Sequence, residues 1–494
     1  MSRRSASAKP RRGTWLPLTL ADGHARTLRE QLSDELKKAM RSGRLPAGTA
    51  LPSTRALAAD LGVSRGVVVD AYTQLTEEGF LVSRRGSGTA VGDVPQHEAT
   101  TPAPTPAGIT SYEIDLRPGP PDLATFPRAA WLTATREVLT TVPDADLGYI
   151  APWGAATLRQ ELADRLSRVR AAAVTPETCI VVSGATQGLT LLVRTLAQLG
   201  HTSLAVESPS NAVQRQVLGR YGLAIVDVPT DGEGLDVNRL AATRCRAVLV
   251  TPAHQYPTGV VLSPARRGAL IHWADRVDGL VLEDDYDPEF RFDRRPVGCV
   301  QGLGPHCVAL VGSVSKSLAP GLRLGWVVVP EPILQDMREA KRDDDFGTGV
   351  LAQLALARLL SNGGYDRHVR RVRSHYQQRR DAFVSALAGR LPGWEVAGQA
   401  GALHVLVRPP DGIDADQLVA AAAARGLAVQ GVRAMYGTLP PTNGILVSYA
   451  RAPAGVLAEA VARLAAAAES SAVTPPADVG DPPVLRPATA VDYF

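Results

Sequence analysis

The feature that most constrains the fold of this chain is a set of six short apolar runs between residues 179 and 329. Each run is four to six residues long and mostly apolar, which is typical of strands in a sheet that is covered on both faces. The connecting segments are long enough for helices, and residues 186–199 are an example. The sequence therefore predicts an α/β fold whose functional residues cluster at strand ends. The runs are residues 179–183, 203–206, 247–251, 279–283, 308–312 and 324–329.

Polar residues follow three of these runs directly. The segment 183–187 follows the first run and opens a predicted helix, so its backbone N–H groups are suited to holding a phosphate. The fourth run ends beside Asp284 and Tyr286. The fifth run is followed by Ser313, Ser315 and Lys316, with Arg323 seven residues later.

Lys316 is unusual for its residue type. The chain has 53 Lys and Arg residues, but the lysines are only Lys9, Lys37, Lys38, Lys316 and Lys341. Arginine supplies positive charge as well as lysine does, but it stays protonated, whereas a lysine amine that loses its proton forms a Schiff base with a carbonyl. Lys316 is therefore a candidate for forming a Schiff base, rather than a residue that only supplies positive charge.

Taken together, these residues suit an aldehyde cofactor that carries a pyridine ring and a phosphate. The amine forms the Schiff base, a carboxylate keeps the ring nitrogen protonated, and hydroxyls with an arginine bind the phosphate. Singly each signal is weak, because Asp284 is equally a loop acid and Arg323 equally a surface charge. Their occurrence in order at successive strand ends favours the cofactor.

The N-terminal part predicts a different, smaller fold. Apolar positions at helical spacing in residues 27–41 predict one helix, and Ser53 and Ser64 are candidate caps of two more. A strand at 80–83, a basic turn at 84–88 and a return strand at 89–91 complete a winged helix-turn-helix. Such a fold presents its third helix to a DNA major groove, and the wing places Arg84 and Arg85 against phosphates or the minor groove. A winged-helix module for protein interaction is the alternative.

Charge supports the DNA interpretation without deciding it. Residues 1–91 carry 15 Lys and Arg against 8 Asp and Glu, whereas the whole chain has a net charge of only +4. The asymmetry indicates a polyanionic partner for the N-terminal part. A solvated basic tail explains the asymmetry almost as well, because five of the 15 charges lie within residues 1–12.

Length and composition predict several domains of a cytoplasmic protein. The 494 residues predict two or three domains, and no apolar run is long enough for a membrane span. The four scattered cysteines indicate buried thiols in a reducing compartment, and no metal site is expected. The expected organisation is a basic flexible tail at 1–21, the winged helix at 22–92, a Pro/Thr-rich linker at 93–111, a cofactor domain at 112–470, and a disordered tail at 471–494.

Residues 51–65 (LPSTRALAADLGVSR) and 71–89 (AYTQLTEEGFLVSRRGSGT) resemble the GntR family of bacterial regulators. The resemblance runs from about Leu28 to Val91. It implies DNA contacts by Arg55, Ser64 and Arg65, and by Arg85 and Gly86 in the wing.

Residues 112–465 resemble fold-type I aminotransferases of class I/II. The strings that carry the resemblance are SGATQ (183–187), TPAHQYPTG (251–259), EDDYDPEFR (283–291) and GSVSKSLAPGLRLG (312–325). With the GntR-like head, the whole chain resembles the MocR subfamily. That resemblance implies pyridoxal 5′-phosphate (PLP) in a Schiff base with Lys316, Asp284 at the pyridine nitrogen and Tyr286 at the phenolic oxygen. It also implies a phosphate site made by Ala185, Thr186, Ser313, Ser315 and Arg323, and a domain-swapped head-to-tail homodimer.

Two departures from the aminotransferase pattern bear on activity. Asn211 replaces an aromatic residue that lies against the cofactor region in most relatives, and Leu446 stands where an arginine usually binds the substrate carboxylate. Arg451 and Arg433 are candidate replacements for that arginine and so candidate effector contacts. A solvated loop charge is at least as good an interpretation of Arg451.

Three functions follow from these observations. The leading hypothesis is a DNA-binding regulator that uses a PLP-holding domain to sense an amine, an amino acid or PLP, with targets in amino-compound or vitamin B6 metabolism. The second is an active aminotransferase with an accessory DNA-binding domain, which the missing arginine disfavours. The third is a repressor whose aminotransferase-like part is only a dimerisation scaffold, which the intact cofactor residues disfavour.

Overall fold

The computed structural model describes residues 11–12, 19–20, 26–84, 88–94, 112–292, 297–398, 401 and 403–471. The chain separates into two compact units, Met1–Ile109 and Thr110–Phe494. The predicted tail at 471–494, except for Ser471, and most of the predicted linker and N-terminal tail lie outside the described residues. The prediction placed the start of the tail one residue too early, because Ser471 still belongs to the last helix.

The first unit is a three-helix fold with a two-stranded wing. The strands Arg11–Arg12 and Thr19–Leu20 form a minimal pair before the helices. The wing is the antiparallel pair Leu81–Arg84 and Gly88–Val91, in which Leu81 faces Val91. The elements are β1 (Arg11–Arg12), β2 (Thr19–Leu20), α1 (Leu28–Arg41), α2 (Thr54–Leu61), α3 (Arg65–Glu77), β3 (Leu81–Arg84) and β4 (Gly88–Val91).

Local sequence signals set these helix ends. Thr27 and Glu30 form a capping box at the start of α1, and the Ser53 hydroxyl accepts from the Ala56 N–H at the start of α2. Gly62 ends α2 at φ +64°, a conformation that glycine adopts without steric cost. The apolar faces then meet in one core around Leu32, Leu36, Leu57, Val68 and Leu75. The predicted winged helix-turn-helix is therefore present.

The second unit is built of alternating helices and strands. Its helices are α4 (Arg128–Thr141), α5 (Ala156–Arg170), α6 (Ala185–Gln198), α7 (Ala212–Gly219), α8 (Val237–Ala241), α9 (Pro264–Val277), α10 (Leu334–Asp345), α11 (Val350–Ser361), α12 (Gly364–Arg390), α13 (Ala415–Ala423) and α14 (Ala454–Ser471). Its strands are β5 (Ile114–Asp115), β6 (Cys179–Val182), β7 (Ser203–Ser208), β8 (Ala224–Asp231), β9 (Gly234–Leu235), β10 (Ala247–Val250), β11 (Leu280–Asp285), β12 (Val308–Ser313), β13 (Gly325–Val328), β14 (Glu395–Ala397), β15 (His404–Arg408), β16 (Leu427–Ala428), β17 (Gln430–Gly431) and β18 (Ile445–Ser448).

The six apolar runs all form strands of one eight-stranded sheet. Its order is β6-β13-β12-β11-β10-β7-β8-β9. Strands β12, β11, β10, β7 and β8 are parallel, whereas β13 is antiparallel to both of its neighbours, so the sheet is mixed. The parallel strands end at a common edge, which is where an open α/β sheet carries its ligand site.

A smaller antiparallel sheet, β14-β15-β18-β17, packs with α12, α13 and α14 around its own core. All four cysteines are free and buried, as predicted. Within the described ranges, no helix is long and apolar enough to cross a membrane.

Candidate functional site

A cleft of about 860 Å³ lies at the carboxyl ends of the parallel strands and contains Lys316. It draws on segments that are far apart in sequence, from the loop at Pro118 and Gly119 to Ser448 at the end of β18. Of the residues predicted to form the site, Lys316, Asp284 and Tyr286 line this cleft together.

Lys316 presents a half-buried amine to the cleft. Its Nζ donates a 2.8 Å hydrogen bond to the Gly119 carbonyl. Burial lowers the pKa of Lys316, because removal from water disfavours the ammonium, while Asp287 and Asp284 oppose the shift. A lowered pKa increases the fraction of uncharged amine, which is the form that attacks a carbonyl.

Asp284 is a buried carboxylate, and one of its two oxygens has no hydrogen-bond partner among the described residues. Its Oδ2 accepts a 2.8 Å hydrogen bond from Nε2 of Gln214, and its buried Oδ1 has no partner among the described residues. Burial raises the pKa of Asp284 to about 6, and the Gln214 hydrogen bond works in the opposite direction. A buried, unpaired carboxylate oxygen calls for a donor, and a protonated pyridine nitrogen is such a donor.

Tyr286 belongs to a group of four rings that the sequence analysis did not assemble. The hydroxyl of Tyr286 lies 2.6 Å from Nδ1 of His254, and the Tyr256 and His404 rings have centroids 5.1 Å apart. The Tyr286 and His404 rings are nearly parallel, at 17° and 6.5 Å. Burial lowers the pKa of His254 to about 3 and that of His404 well below its usual value, so both imidazoles are neutral.

The predicted phosphate-binding residues form a second group at the start of α6. Ala185 and Thr186 are its first residues, and the Arg323 guanidinium donates to the Ser183 carbonyl beside them. Gly184, at φ +91°, admits this arginine, because a Cβ there would lie 2.9 Å from Nη2 of Arg323. A smaller cavity lined by Thr186, Asn211 and Gln214 joins this group to the Lys316 cleft, since the last two residues line both.

The predicted serines lie at the end of β12. The Ser315 N–H donates to Oγ of Ser313 at 3.4 Å. Ser313 lines a separate cavity rather than the Lys316 cleft.

The two candidate effector arginines lie outside the lining of the cleft. Arg433 is half-exposed and pairs with Asp414 at 3.0 Å and Asp416 at 2.5 Å. Arg451 lies 3.7 Å from Asp115, and its charge helps to lower the pKa of Lys316.

Both departures from the aminotransferase pattern have structural roles. The Asn211 side chain accepts from the Gln214 N–H and caps α7, so its carbonyl oxygen is already bonded. Leu446 is fully buried in β18, where it packs in a cluster with Leu406, Val432 and Met435.

Several residues of the cleft gave little or no sequence signal. Glu207 is buried and accepts from both the N–H and the hydroxyl of Thr251, and its pKa is raised by burial to about 7. His254 and Tyr256 lie in the string 251–259, which was singled out without roles for these two residues. His404 is brought in by the second sheet and carries no local signal.

Comparison with known families accounts for both units. Residues 114–464 match the aminotransferase class I and II family, and residues 28–91 match the gntR family of bacterial regulatory proteins. The chain is 34% identical to the HTH-type pyridoxine biosynthesis transcriptional regulator PdxR of Corynebacterium glutamicum, over 88% of this chain and 94% of that protein. It is 30% identical to the probable rhizopine catabolism regulatory protein MocR of Rhizobium meliloti, over 86% and 90%.

The chain belongs to the MocR-type GntR transcriptional regulators.

Solved structures place the second unit of this MocR-type regulator among the aminotransferases. A kynurenine aminotransferase of Pyrococcus horikoshii superposes with a TM-score of 0.67 at 28% identity, over 73% of this chain and 92% of that one. The family and this fold imply PLP as the cofactor. The amine of Lys316 and the spare oxygen of Asp284 fit that cofactor, because they offer a carbonyl-reactive group and a partner for a ring N–H in one cleft.

The DNA-binding unit of the MocR-type regulator exposes the residues predicted to contact DNA. Arg55 on α2 and Arg65 at the start of α3 are exposed, and neither has an ion pair among the described residues. Ser64 precedes α3, but its hydroxyl makes no capping hydrogen bond and is free for another partner. Arg84 ends β3, and Arg85 and Gly86 lie outside the described residues.

Proposed function

We propose that the chain regulates transcription by coupling the occupancy of the Lys316 cleft to DNA binding by its N-terminal unit. The observation that carries this proposal is a cleft that keeps its cofactor-binding groups but lacks the group that would bind a substrate. Lys316 and Asp284 line the cleft, yet its described lining contains no arginine to bind a substrate carboxylate. Such a site favours holding a cofactor over cycling amino acids.

The cofactor roles proposed for the second unit are supported by the shared lining of Lys316, Asp284 and Tyr286 in one cleft. Lys316 would hold PLP through its amine, with Asp284 at the ring nitrogen and Tyr286 at the phenolic oxygen. Ala185, Thr186, Ser313, Ser315 and Arg323 bind its phosphate. When bound, PLP supplies an electrophilic carbon that exchanges one amine for another.

The effector is an amine or PLP itself rather than an α-amino acid. Apart from Lys316, Asp284 and Glu207, the lining of the cleft is uncharged, and it includes the neutral side chains of Ser210, Asn211, His404 and Ser448. The pyridoxine biosynthesis regulator among the relatives supports a target in vitamin B6 metabolism. Arg451 is the remaining candidate for a carboxylate, because its charge is felt at Lys316.

DNA binding uses Arg55, Ser64 and Arg65 at the helix-turn-helix and Arg84, Arg85 and Gly86 in the wing. The exposure of Arg55 and Arg65 and the free hydroxyl of Ser64 support these roles. Two heads bound to a palindromic operator require a dimer.

The dimer is a head-to-tail, domain-swapped pair, and an exposed apolar surface of the second unit supports it. Leu132 and Leu139 on α4 are 59% and 55% exposed, and Leu147 and Tyr149 in the following loop are 51% and 99% exposed. Leu351 of α11, the helix against which α4 packs, is also exposed. Monomeric proteins seldom expose a contiguous apolar surface of this kind.

Effector-screened DNA binding tests the proposed function. Operator duplexes are first selected from a random pool with the full-length protein, and affinity is then measured with and without PLP and a panel of amines. We expect PLP or one amine to change the affinity about 5- to 150-fold, the usual range of allosteric coupling. An affinity that no member of the panel changes contradicts the proposal.

Aminotransferase activity is the second candidate, and the similarity to solved aminotransferases favours it. Incubation of the PLP-loaded protein with paired amino donors and keto acids separates the two functions. Steady turnover of any pair would reverse the order of the two candidates, whereas a single stoichiometric exchange is consistent with sensing.

A further inference from the structure

A second cavity, of about 1210 Å³, opens on the other face of the central sheet from Lys316. Asp284 and Asp285 are consecutive in β11, and consecutive side chains of a strand point to opposite faces. Asp284 lines the Lys316 cleft and Asp285 lines the second cavity. The two cavities share no lining residue, and Ser313, which is proposed to bind the cofactor phosphate, is the one predicted cofactor residue that lines the second cavity.

The second cavity is strongly cationic. Its charged lining consists of six arginines from α5, α12 and the segment after β11, with three carboxylates among them. The arginines are Arg165, Arg168, Arg170, Arg291, Arg370 and Arg373, and the carboxylates are Asp285, Glu289 and Asp366.

Each carboxylate of the second cavity already has a donor. Asp285 accepts from Arg170 at 2.8 and 3.0 Å. Asp366 pairs with Arg165 and, at 3.3 Å, with Arg168. Glu289 accepts from the Tyr365 hydroxyl at 3.0 Å. Each carboxylate of the lining therefore has a partner already, and none is paired with Arg370 or Arg373.

Arg370 and Arg373 have no acidic partner among the described residues. They are three residues apart on α12, so they lie on one face of the helix, and both are exposed. Neither has an ion pair or a side-chain hydrogen bond within the part of the chain that the structure describes. Their guanidinium groups are therefore available to a ligand.

A buried donor in the wall of the same cavity also lacks an acceptor. The Nε1 of Trp326 is buried and has no hydrogen-bond partner among the described residues, although the Trp326 ring lines the cavity. A buried N–H that lacks an acceptor is rare in proteins, so this group is a further polar feature of the cavity wall.

We propose that the second cavity binds a small, multiply charged anion of the phosphate-ester or diphosphate class. Two free guanidinium groups match phosphate oxygens in geometry and charge, and a ligand with two or more negative charges is needed to balance them. A free anion fits better than a DNA backbone, because Arg370 and Arg373 line a cavity together with the buried Arg165 and Arg170, whereas duplex phosphates contact exposed surfaces.

Calorimetric titration of inorganic pyrophosphate into the full-length, PLP-loaded protein tests the proposal. We expect saturable binding that weakens at least about tenfold in an Arg370→Ala/Arg373→Ala double variant, because two charge-assisted contacts are lost. Arg370→Lys/Arg373→Lys keeps the charge but not the planar guanidinium, so its affinity should lie between those of the wild type and the alanine double variant. Arg239→Ala/Arg276→Ala removes two exposed arginines elsewhere on the second unit and should change nothing. Melting temperatures within a degree or so of the wild type verify folding.

Two further arms separate the alternatives. The same titration on Lys316→Ala should give the wild-type pyrophosphate affinity, so failure of the cofactor assignment does not affect the result. The second arm measures how the wild type and the alanine double variant bind a random-sequence DNA duplex across a salt series, which tests whether Arg370 and Arg373 contact DNA phosphates instead. Absence of pyrophosphate binding in the wild type, or equal binding by the alanine double variant, overturns the proposal. If the alanine double variant loses duplex binding while the wild type does not bind pyrophosphate, the two arginines are assigned to DNA. That result also overturns the proposal.

Discussion

Nε2 of Gln214 donates a 2.8 Å hydrogen bond to Oδ2 of Asp284 and leaves Oδ1 of that carboxylate buried without a partner among the described residues. Gln214 is itself held by Asn211, which caps the start of α7. The residue that replaces the usual aromatic thus positions the side chain that orients the cofactor-binding carboxylate. From the sequence, Asn211 marks only the loss of an aromatic contact to the cofactor region. In the structure its side chain caps α7 and so holds the backbone of Gln214.

Gln214→Leu should shift the pH dependence of PLP binding. The Gln214 hydrogen bond lowers the pKa of Asp284, so its loss raises that pKa above about 6. Because the carboxylate must be ionised to hold a protonated ring nitrogen, PLP affinity should begin to fall at a higher pH in the variant. Equilibrium dialysis of PLP between pH 5 and 8 measures this. Gln216→Leu, an exposed position on the same helix, is the matched control. Coincident pH profiles for both variants would exclude a role for Gln214.

Asp284→Asn should stabilise the PLP-free protein and abolish its stabilisation by PLP. The folded-state pKa of Asp284, about 6, lies above the ordinary value of 3.8, so ionisation opposes folding. Stability is greatest below the unfolded pKa and is lost as the pH rises through about 6. At pH 7.5 the variant should gain about 1 kcal/mol, or about 2–4 °C in Tm, and the gain should shrink towards pH 5. A gain that is constant across that range would show that the cause is not the Asp284 charge.

Arg65→Ala should weaken DNA binding and reduce its salt dependence. Arg65 is exposed at the start of α3 and has no acid to pair with in the described part of the chain. Loss of one phosphate contact should reduce the magnitude of the slope of log affinity against log salt by about 1. Arg29→Ala, an exposed arginine on α1 outside the helix-turn-helix, should leave the slope unchanged. Equal effects of the two changes would argue for general charge attraction only.

Leu132→Asp/Leu139→Asp should convert the dimer to a monomer. Both leucines are more than half exposed on α4, and a charge in an apolar interface is strongly unfavourable. Light scattering after size exclusion gives the mass directly. Leu303→Asp changes a leucine that is 60% exposed on a separate loop and should leave the mass unchanged. A wild type that is monomeric at micromolar concentration would refute the dimer proposal itself.

Most of the fold was predictable because its signals are local. The six apolar runs all form strands of the large sheet, and Ser53 caps α2 as predicted. The predicted cap at Ser64 is only partly correct, because Ser64 precedes α3 but its side chain makes no capping hydrogen bond. The antiparallel direction of β13 was not predictable, because periodicity reveals burial and not strand direction.

The site was predictable where its residues follow strands in one segment, as Asp284, Tyr286 and Lys316 do. It was not predictable where tertiary packing brings in distant residues. Gly119, which accepts from Lys316, is 197 positions away from it in sequence, and His404 arrives on a second sheet. The cationic second cavity was missed for the same reason, since its arginines come from α5, α12 and a loop.

The most direct test of the central claim is the affinity of a selected operator duplex for the wild type and for Lys316→Ala, each with and without PLP. The wild type should change its affinity at least about fivefold when PLP is added, as expected for allosteric coupling. Lys316→Ala should show no change, since it lacks the amine that retains the cofactor. An equal response in both proteins, or a response in neither, would contradict the claim that PLP held at Lys316 controls DNA binding.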